Sequence, residues 1–121
     1  MKMTEVQVKI RVEFTHNYPA AGTDAELADV ADLANTHAHI ATVLLGLQVW
    51  HADREIELRQ LRRWLLSCFQ PQPMAFGAMS CEMIADWLHE KVTARYPNRA
   101  MQIGVFEDDS VGAIVTYEVA P

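Results

Sequence analysis

Hydrophobic and polar residues alternate strictly along the first part of the chain. Polar side chains separate the apolar positions Val6, Val8, Ile10, Val12 and Phe14. A period of two is typical of an antiparallel strand with one face against a core and one face in water. The pattern predicts such a strand over residues 5–16. A connection over residues 17–36 follows, and its acidic second half is expected to form a short helix or a loop.

A second period-two pattern predicts a strand over residues 37–50. Its apolar positions Val43, Leu45, Leu47 and Val49 share one face with His37 and His39. Two shorter alternating segments close the chain, one leading from Met101 to Glu107 and one running from Val111 to Val119. The turn E-D-D-S joins them, so we expect them to pair as a hairpin.

Between these strands the apolar spacing changes to that of helices. Residues 54–69 carry an apolar stripe, and the proline-containing segment Q-P-Q-P cannot continue this helix. Ser80 is a suitable N-cap for a second helix, which Pro97 should end. The predicted buried positions of the two helices are Leu58, Leu61, Leu65, Cys68, Ile84, Ala85, Leu88 and Val92.

The predicted order is β-β-α-α-β-β, which indicates an α+β domain spanning residues 1–121. We expect a four-stranded antiparallel sheet with two helices on one face. Because such a sheet leaves its edge strands unpaired, it can pair with another copy of the chain. We therefore expect a symmetric homo-oligomer.

Composition narrows the class of protein. Half of the 121 residues are hydrophobic and 21% are charged, as in globular domains. The net charge of −6 argues against a nucleic-acid-binding surface, which requires a basic patch. No apolar run reaches the roughly 18 residues of a membrane span. Cys68 and Cys81 fit no disulfide framework and the N-terminus has no signal-peptide core, so we expect a cytoplasmic protein.

Three histidines are the strongest chemical signal. His37 and His39 form an H-x-H pair at the start of the second strand, and His16 ends the first strand. Residues i and i+2 of a strand point to one face, so both imidazoles can reach one ion, and pairing of the two strands adds His16. Three neutral imidazoles with an open position are typical of catalytic zinc. The alternative, that isolated histidines at strand ends are structural, stays open for the H-x-H pair alone.

Several short motifs occur in an order that resembles the 6-pyruvoyl-tetrahydropterin synthase family. V-E-F-T-H ends at His16, and His37-Ala38-His39 corresponds to that family's H-G-H. The start of that family's first helix is similar to H-A-D-R-E-I-E-L-R, which contains Glu57. Its P-T-x-E segment is similar to M-S-C-E-M-I-A-D-W-L, and its final E-T is similar to the end of V-F-E-D-D. The family includes the 6-carboxy-tetrahydropterin synthases of queuosine biosynthesis.

The resemblance implies a tunnelling fold, in which subunits join their sheets into rings, often as a hexamer. It implies that His16, His37 and His39 hold Zn²⁺, which binds side-chain oxygens of dihydroneopterin triphosphate or a related pterin. It also implies that Glu107 anchors the 2-amino-pyrimidinone edge, since a carboxylate can accept two parallel N–H bonds. Ser80 and Cys81 correspond to substrate-pocket positions. Without the resemblance, Glu107 is equally well a solvated carboxylate beside a turn.

The chain departs from the family where protons are transferred. The family's catalytic cysteine corresponds to Leu33, and its L-D-H motif is missing, since Q-P-Q-P-M-A-F-G-A-M contains neither Asp nor His. Asp32, and next Asp29, are candidate replacement bases, although a solvated acidic loop is the simpler interpretation. Cys81 is interpreted first as a residue lining the pocket and only second as a nucleophile. His51 lies too far along the chain to share the ion.

Two functions therefore remain open. One is a zinc-dependent pterin synthase or lyase with altered proton donors. The other is a catalytically degenerate, zinc-loaded tunnelling-fold oligomer that binds a pterin, a purine-like ligand or a partner. The retained histidines and Glu107 favour a ligand-directed role in both cases.

Overall fold

Two long strands form the centre of the sheet. A computed structural model describes residues 2–119 of the chain. Strand β1 (Thr4–His16) pairs antiparallel with β2 (His37–Val49) over its whole length. Met1, Ala120 and Pro121, which belong to the predicted domain of residues 1–121, lie outside the described residues. The observed bounds of β1 and β2 differ from the predicted ones by one residue at one end.

The remaining elements follow the predicted order, with one addition. They are α1 (Leu58–Ser67), β3 (Met74–Ala75), α2 (Cys81–Arg95), β4 (Met101–Phe106) and β5 (Gly112–Tyr117). The sheet order is β3-β1-β2-β4-β5, and β3 runs parallel to β1. The α+β class is confirmed. The predicted four-stranded, fully antiparallel sheet is wrong, because the proline-rich segment turns back beside the end of β1 and adds a fifth, parallel strand.

The core lies between one face of the sheet and the two α-helices. On β1 every second residue is buried, and on β2 the buried positions continue the register of His37 and His39. Leu61 and Leu65 of α1 and Ile84 and Leu88 of α2 belong to the same apolar cluster. Both helices therefore cover one face of the sheet, as the alternation predicts.

Side chains cap the starts of both helices. The Glu57 carboxylate accepts hydrogen bonds from the backbone N–H groups of Arg59 and Gln60, so α1 begins at Leu58. The predicted helix over residues 54–69 is thus too long. Leu58, predicted to be buried, is 47% exposed, because it lies in the first turn before α1 reaches the core. Ser80 caps α2, as predicted, by accepting from the Met83 N–H at 3.2 Å.

The connection between β1 and β2 folds into short 3-10 helices, Pro19–Gly22 and Ala25–Ala34, with a kink at Val30. Two backbone hydrogen bonds fix this segment near the end of the hairpin. The Tyr18 N–H donates to the Leu33 carbonyl at 2.7 Å, and the Asn17 N–H donates to the Gly77 carbonyl at 2.8 Å. The connection is therefore held beside the ends of β1 and β2.

Within residues 2–119, no helix combines the length and the apolar character needed to cross a membrane.

Candidate metal centre

The pairing register of β1 and β2 brings the three predicted histidines together. His16 lies opposite His37, and Phe14 lies opposite His39. Because residues opposite each other in antiparallel strands point to the same face, all three imidazoles project from the same face of the β1–β2 pair, at the end where β1 stops and β2 begins. One ligand atom from each histidine lies within 4.8 Å of the others. The ring centroids are 4.7, 4.9 and 5.1 Å apart.

Backbone carbonyls orient two of these imidazoles. The Nδ1 of His16 lies 2.9 Å from the Met79 carbonyl oxygen, and the Nδ1 of His37 lies 2.8 Å from that of Asn35. Since a carbonyl oxygen can only accept, each Nδ1 must carry a proton, and in the neutral ring each Nε2 then presents a lone pair. Metal-binding histidines are commonly held by this type of hydrogen bond, which fixes both tautomer and ring orientation.

Two ring nitrogens at the centre are buried without a hydrogen-bond partner among the described residues. They are the Nε2 atoms of His16 and His39. A buried polar atom left in this way costs about 1–3 kcal/mol. Binding of a metal ion would remove this cost for both atoms. The three imidazoles therefore fit a metal ion, and the cluster could hold one.

Glu107, the residue that follows β4, reaches the same centre. Its Oε1 lies 3.5 Å from the His16 Nε2, and its Oε2 lies 3.7 Å from the His39 Nε2. Its backbone N–H donates to the Val111 carbonyl at 2.8 Å, which fixes the start of the turn between β4 and β5. The Cys81 thiol donates to Oε1 at 3.8 Å. The Glu107 carboxylate therefore lies between the histidines and Cys81, the first residue of α2.

Burial and neighbouring charges shift two pKa values at this site. Burial lowers the pKa of His39 below 6.5, and His16 and His37 add to the decrease, while the Glu107 carboxylate opposes it. Burial, helped by the nearby carboxylates of Glu107 and Glu82, raises the pKa of the Cys81 thiol to about 12. At neutral pH, Cys81 is therefore a protonated hydrogen-bond donor and His39 is mainly neutral, the form that binds metals.

A cavity of about 570 Å³ opens beside the histidines. The predicted pocket residues Ser80, Cys81 and Glu107 all line it, as does Leu33. The remaining lining residues are His16, Asn17, Tyr18, His37, Ala78, Met79, Glu82, Met83, Val111 and Gly112. The start of α2 and the connection after β1 therefore form two walls of the cavity, and the metal centre forms part of a third.

The candidate base Asp32 is not brought to this cavity. Its side chain is exposed on the second 3-10 helix, as is that of Asp29, and neither is among the described residues that line the cavity. His51 is exposed on the loop after β2, where its Nδ1 accepts from the Asp53 N–H. His89 is half-buried on α2, and its ring stacks on that of Tyr117 with centroids 3.8 Å apart.

Sequence reasoning missed the residues that act through their backbones. Met79 and Asn35 orient His16 and His37 with carbonyl oxygens, which every residue type possesses, so the sequence carries no signal for Met79. Asn35 lies two residues before His37, a spacing at which a carbonyl can reach an imidazole. The wall formed by Asn17 and Tyr18 was also missed, although their position directly after His16 could have indicated it.

No family model and no curated protein sequence matches this chain.

Proposed function

We propose that this chain is a zinc protein that binds a small pterin-like or purine-like molecule in the cavity beside the metal. The observation that carries the proposal is the convergence of three imidazoles, two of which have unpartnered buried Nε2 atoms. Two of the three histidines, His16 and His37, line a cavity of about 570 Å³. Zinc is the ion we expect, because three neutral histidines in a preformed cluster are a typical zinc ligand set.

The cavity offers groups suited to a ring with a 2-amino-pyrimidinone edge. Glu107 supplies a carboxylate that can accept two parallel N–H bonds. The Ser80 hydroxyl oxygen is occupied as the acceptor of the helix cap, but its proton remains available for a ligand. When bound, zinc would act as a Lewis acid on oxygen atoms of the ligand. The volume falls within the usual range for small-molecule sites.

These features also support the resemblance to the 6-pyruvoyl-tetrahydropterin synthase family. We propose that the α+β domain is a tunnelling fold that assembles into a ring. The unpaired outer edge of β5 and the two-residue β3 at the other edge leave both sides of the sheet available for pairing with further copies.

We propose that ordinary tetrahydropterin synthase activity is weak in this protein. Leu33, which the resemblance aligns with the family's catalytic cysteine, lines the cavity and cannot transfer a proton. Cys81 is a poor substitute, since its pKa of about 12 keeps the thiol protonated. General acid–base groups typically contribute about 10²- to 10⁴-fold in rate. Binding without efficient turnover is therefore the function these residues support best.

A zinc-dependent pterin synthase or lyase is the second candidate. The observation in its favour is that two carboxylates, Glu82 and Glu107, line the cavity and could exchange protons with a bound substrate. Turnover of dihydroneopterin triphosphate by the zinc-loaded protein at about 1 s⁻¹ or faster would favour this candidate, because that rate lies within the usual range for enzymes.

Metal analysis combined with ligand binding tests the main proposal. We expect one zinc ion per chain in protein purified without chelator or metal-binding tag, and we expect His37→Ala to lose it. We further expect neopterin binding, followed by ligand fluorescence, to require zinc and to disappear in His37→Ala. His51→Ala is the matched control, because His51 is an exposed histidine on the loop after β2. Protein without any transition metal, or neopterin binding unaffected by chelator, would contradict the proposal.

A further inference from the structure

The two carboxylate oxygens of Glu107 are positioned relative to the histidines in a way that suggests a metal ligand. They lie 3.5 Å and 3.7 Å from the Nε2 atoms of His16 and His39. Tetrahedral zinc has bonds of about 2.0–2.2 Å to nitrogen and oxygen, which places any two ligand atoms about 3.3–3.5 Å apart. Each oxygen of Glu107 is therefore close to the distance expected between neighbouring ligands of one ion.

A direct ion pair explains these distances less well. A carboxylate that accepts from a protonated imidazole normally lies about 2.7–2.9 Å from the nitrogen. Here both gaps are longer, and both Nε2 atoms lack a hydrogen-bond partner in the described part of the chain. The space between the carboxylate and the imidazoles fits an ion better than a proton.

Glu107 is also held in the way that metal-binding carboxylates usually are. Its backbone N–H is bonded to Val111, and the Cys81 thiol donates to Oε1. Such outer hydrogen bonds orient a ligating carboxylate. The Glu107 side chain is 30% exposed and lines the cavity, so it can turn towards the cavity without breaking its backbone contact.

We propose that Glu107 is the fourth ligand of the metal when no small molecule is bound. In this state the centre is closed, with His16, His37, His39 and Glu107 around the ion. A small-molecule ligand reaches the metal by displacing the carboxylate, which is then free to accept N–H bonds from that molecule. This inference rests on the proposed metal centre, and it adds that access to the metal is controlled by this chain's own carboxylate.

Cobalt(II) is a suitable probe, because its visible spectrum reports changes in the atoms around the ion. The 121-residue chain would be loaded with cobalt(II) and titrated with thiocyanate, an anion that binds an open metal position. We expect the wild-type spectrum to resist change. We expect Glu107→Gln to bind thiocyanate at least 10-fold more tightly and zinc at least 10-fold more weakly, in line with the loss caused by removing metal-site partners.

Two further variants make the result decisive. Glu90→Gln removes an exposed carboxylate in the second half of α2 and should behave as wild type. Glu107→Ala should open the centre even if the glutamine variant folds poorly. Wild-type protein that binds cobalt(II) and responds to thiocyanate as readily as Glu107→Gln would overturn the inference and leave the three-histidine centre intact. Failure of the wild type to bind cobalt(II) or zinc would overturn the metal centre itself, and the inference with it.

Discussion

Replacing one metal-site histidine by leucine should stabilise the protein without metal and destabilise it with metal. His39 is the residue to change, because its Nε2 is buried without a hydrogen-bond partner among residues 2–119. Its ring packs edge-on against Phe14, with centroids 5.9 Å apart, so an apolar side chain suits its surroundings. In His39→Leu the unpaired nitrogen is removed and the contact with Phe14 is kept.

The expected size of the effect follows from two opposing contributions. Removing the unpaired buried nitrogen should recover about 1–3 kcal/mol. The different shape of leucine should cost up to about 1.5 kcal/mol. In the absence of metal, we therefore expect the unfolding free energy of His39→Leu to be about 1 kcal/mol higher than that of the wild type, with extremes of about −0.5 and +3 kcal/mol. Zinc at 100 times its Kd should add about 2.7 kcal/mol to the wild type and nothing to the variant.

Urea unfolding at pH 8, once with chelator and once with zinc, measures both contributions at a fixed protein concentration. His16→Leu is the informative comparison, because it removes an unpaired Nε2 but also takes the hydrogen-bond donor away from the Met79 carbonyl. That loss should make it about 1 kcal/mol less stable than His39→Leu in chelator.

The order of stabilities is the decisive observation. We expect His39→Leu to be at least as stable as the wild type in chelator and less stable than the wild type in zinc. If His39→Leu is destabilised by more than about 1 kcal/mol in chelator, then the unpaired Nε2 of His39 does not destabilise the metal-free protein. Equal stabilisation of both proteins by zinc would show that the ion binds elsewhere.

Two other predictions concern assembly and pH. Light scattering should give a mass that is a multiple of the 13.7 kDa chain, because both sheet edges are available for pairing, and a monomer at micromolar concentration would contradict this. Since burial holds the pKa of His39 below its unfolded value of 6.5, the unfolded chain binds more protons just below that pH. The contribution of His39 to the stability of the metal-free protein should therefore be fully present above pH 6.5 and decrease as the pH falls further. Urea unfolding of wild type and His39→Leu at pH 7.5 and 5.5 checks this, and an equal loss in both would rule out His39 as the cause.

The local patterns of the sequence were sufficient to predict the elements that carry the histidines. Alternation predicts β1 and β2 to within one residue at each end, and the i, i+2 spacing predicts that His37 and His39 share a face. Pairing of the two strands then brings in His16. These features depend on contacts between neighbouring positions or neighbouring strands, so a periodic pattern is enough to reveal them.

Features that depend on distant contacts were not predictable in the same way. The two-residue β3 exists because the proline-rich segment returns to Phe14, and nothing in Met74 or Ala75 themselves indicates this pairing. Leu58 fits the apolar stripe but is exposed, since the position of the cap at Glu57 decides where α1 meets the core. The approach of Glu107 to the histidines likewise depends on where β4 lies in the sheet.

The pairing of His16 with His37 has a consequence for how the chain folds. These two residues mark the open end of the β1–β2 ladder, and the connection over residues 17–36 leaves and returns there. An ion bound to both would join the ends of that connection as a disulfide does, and closing a loop of roughly 20 residues is worth about 3 kcal/mol in chain entropy. The ion would thus act as a removable cross-link. Metal supply would then determine how firmly the wall formed by Asn17, Tyr18 and Leu33 is held against the cavity.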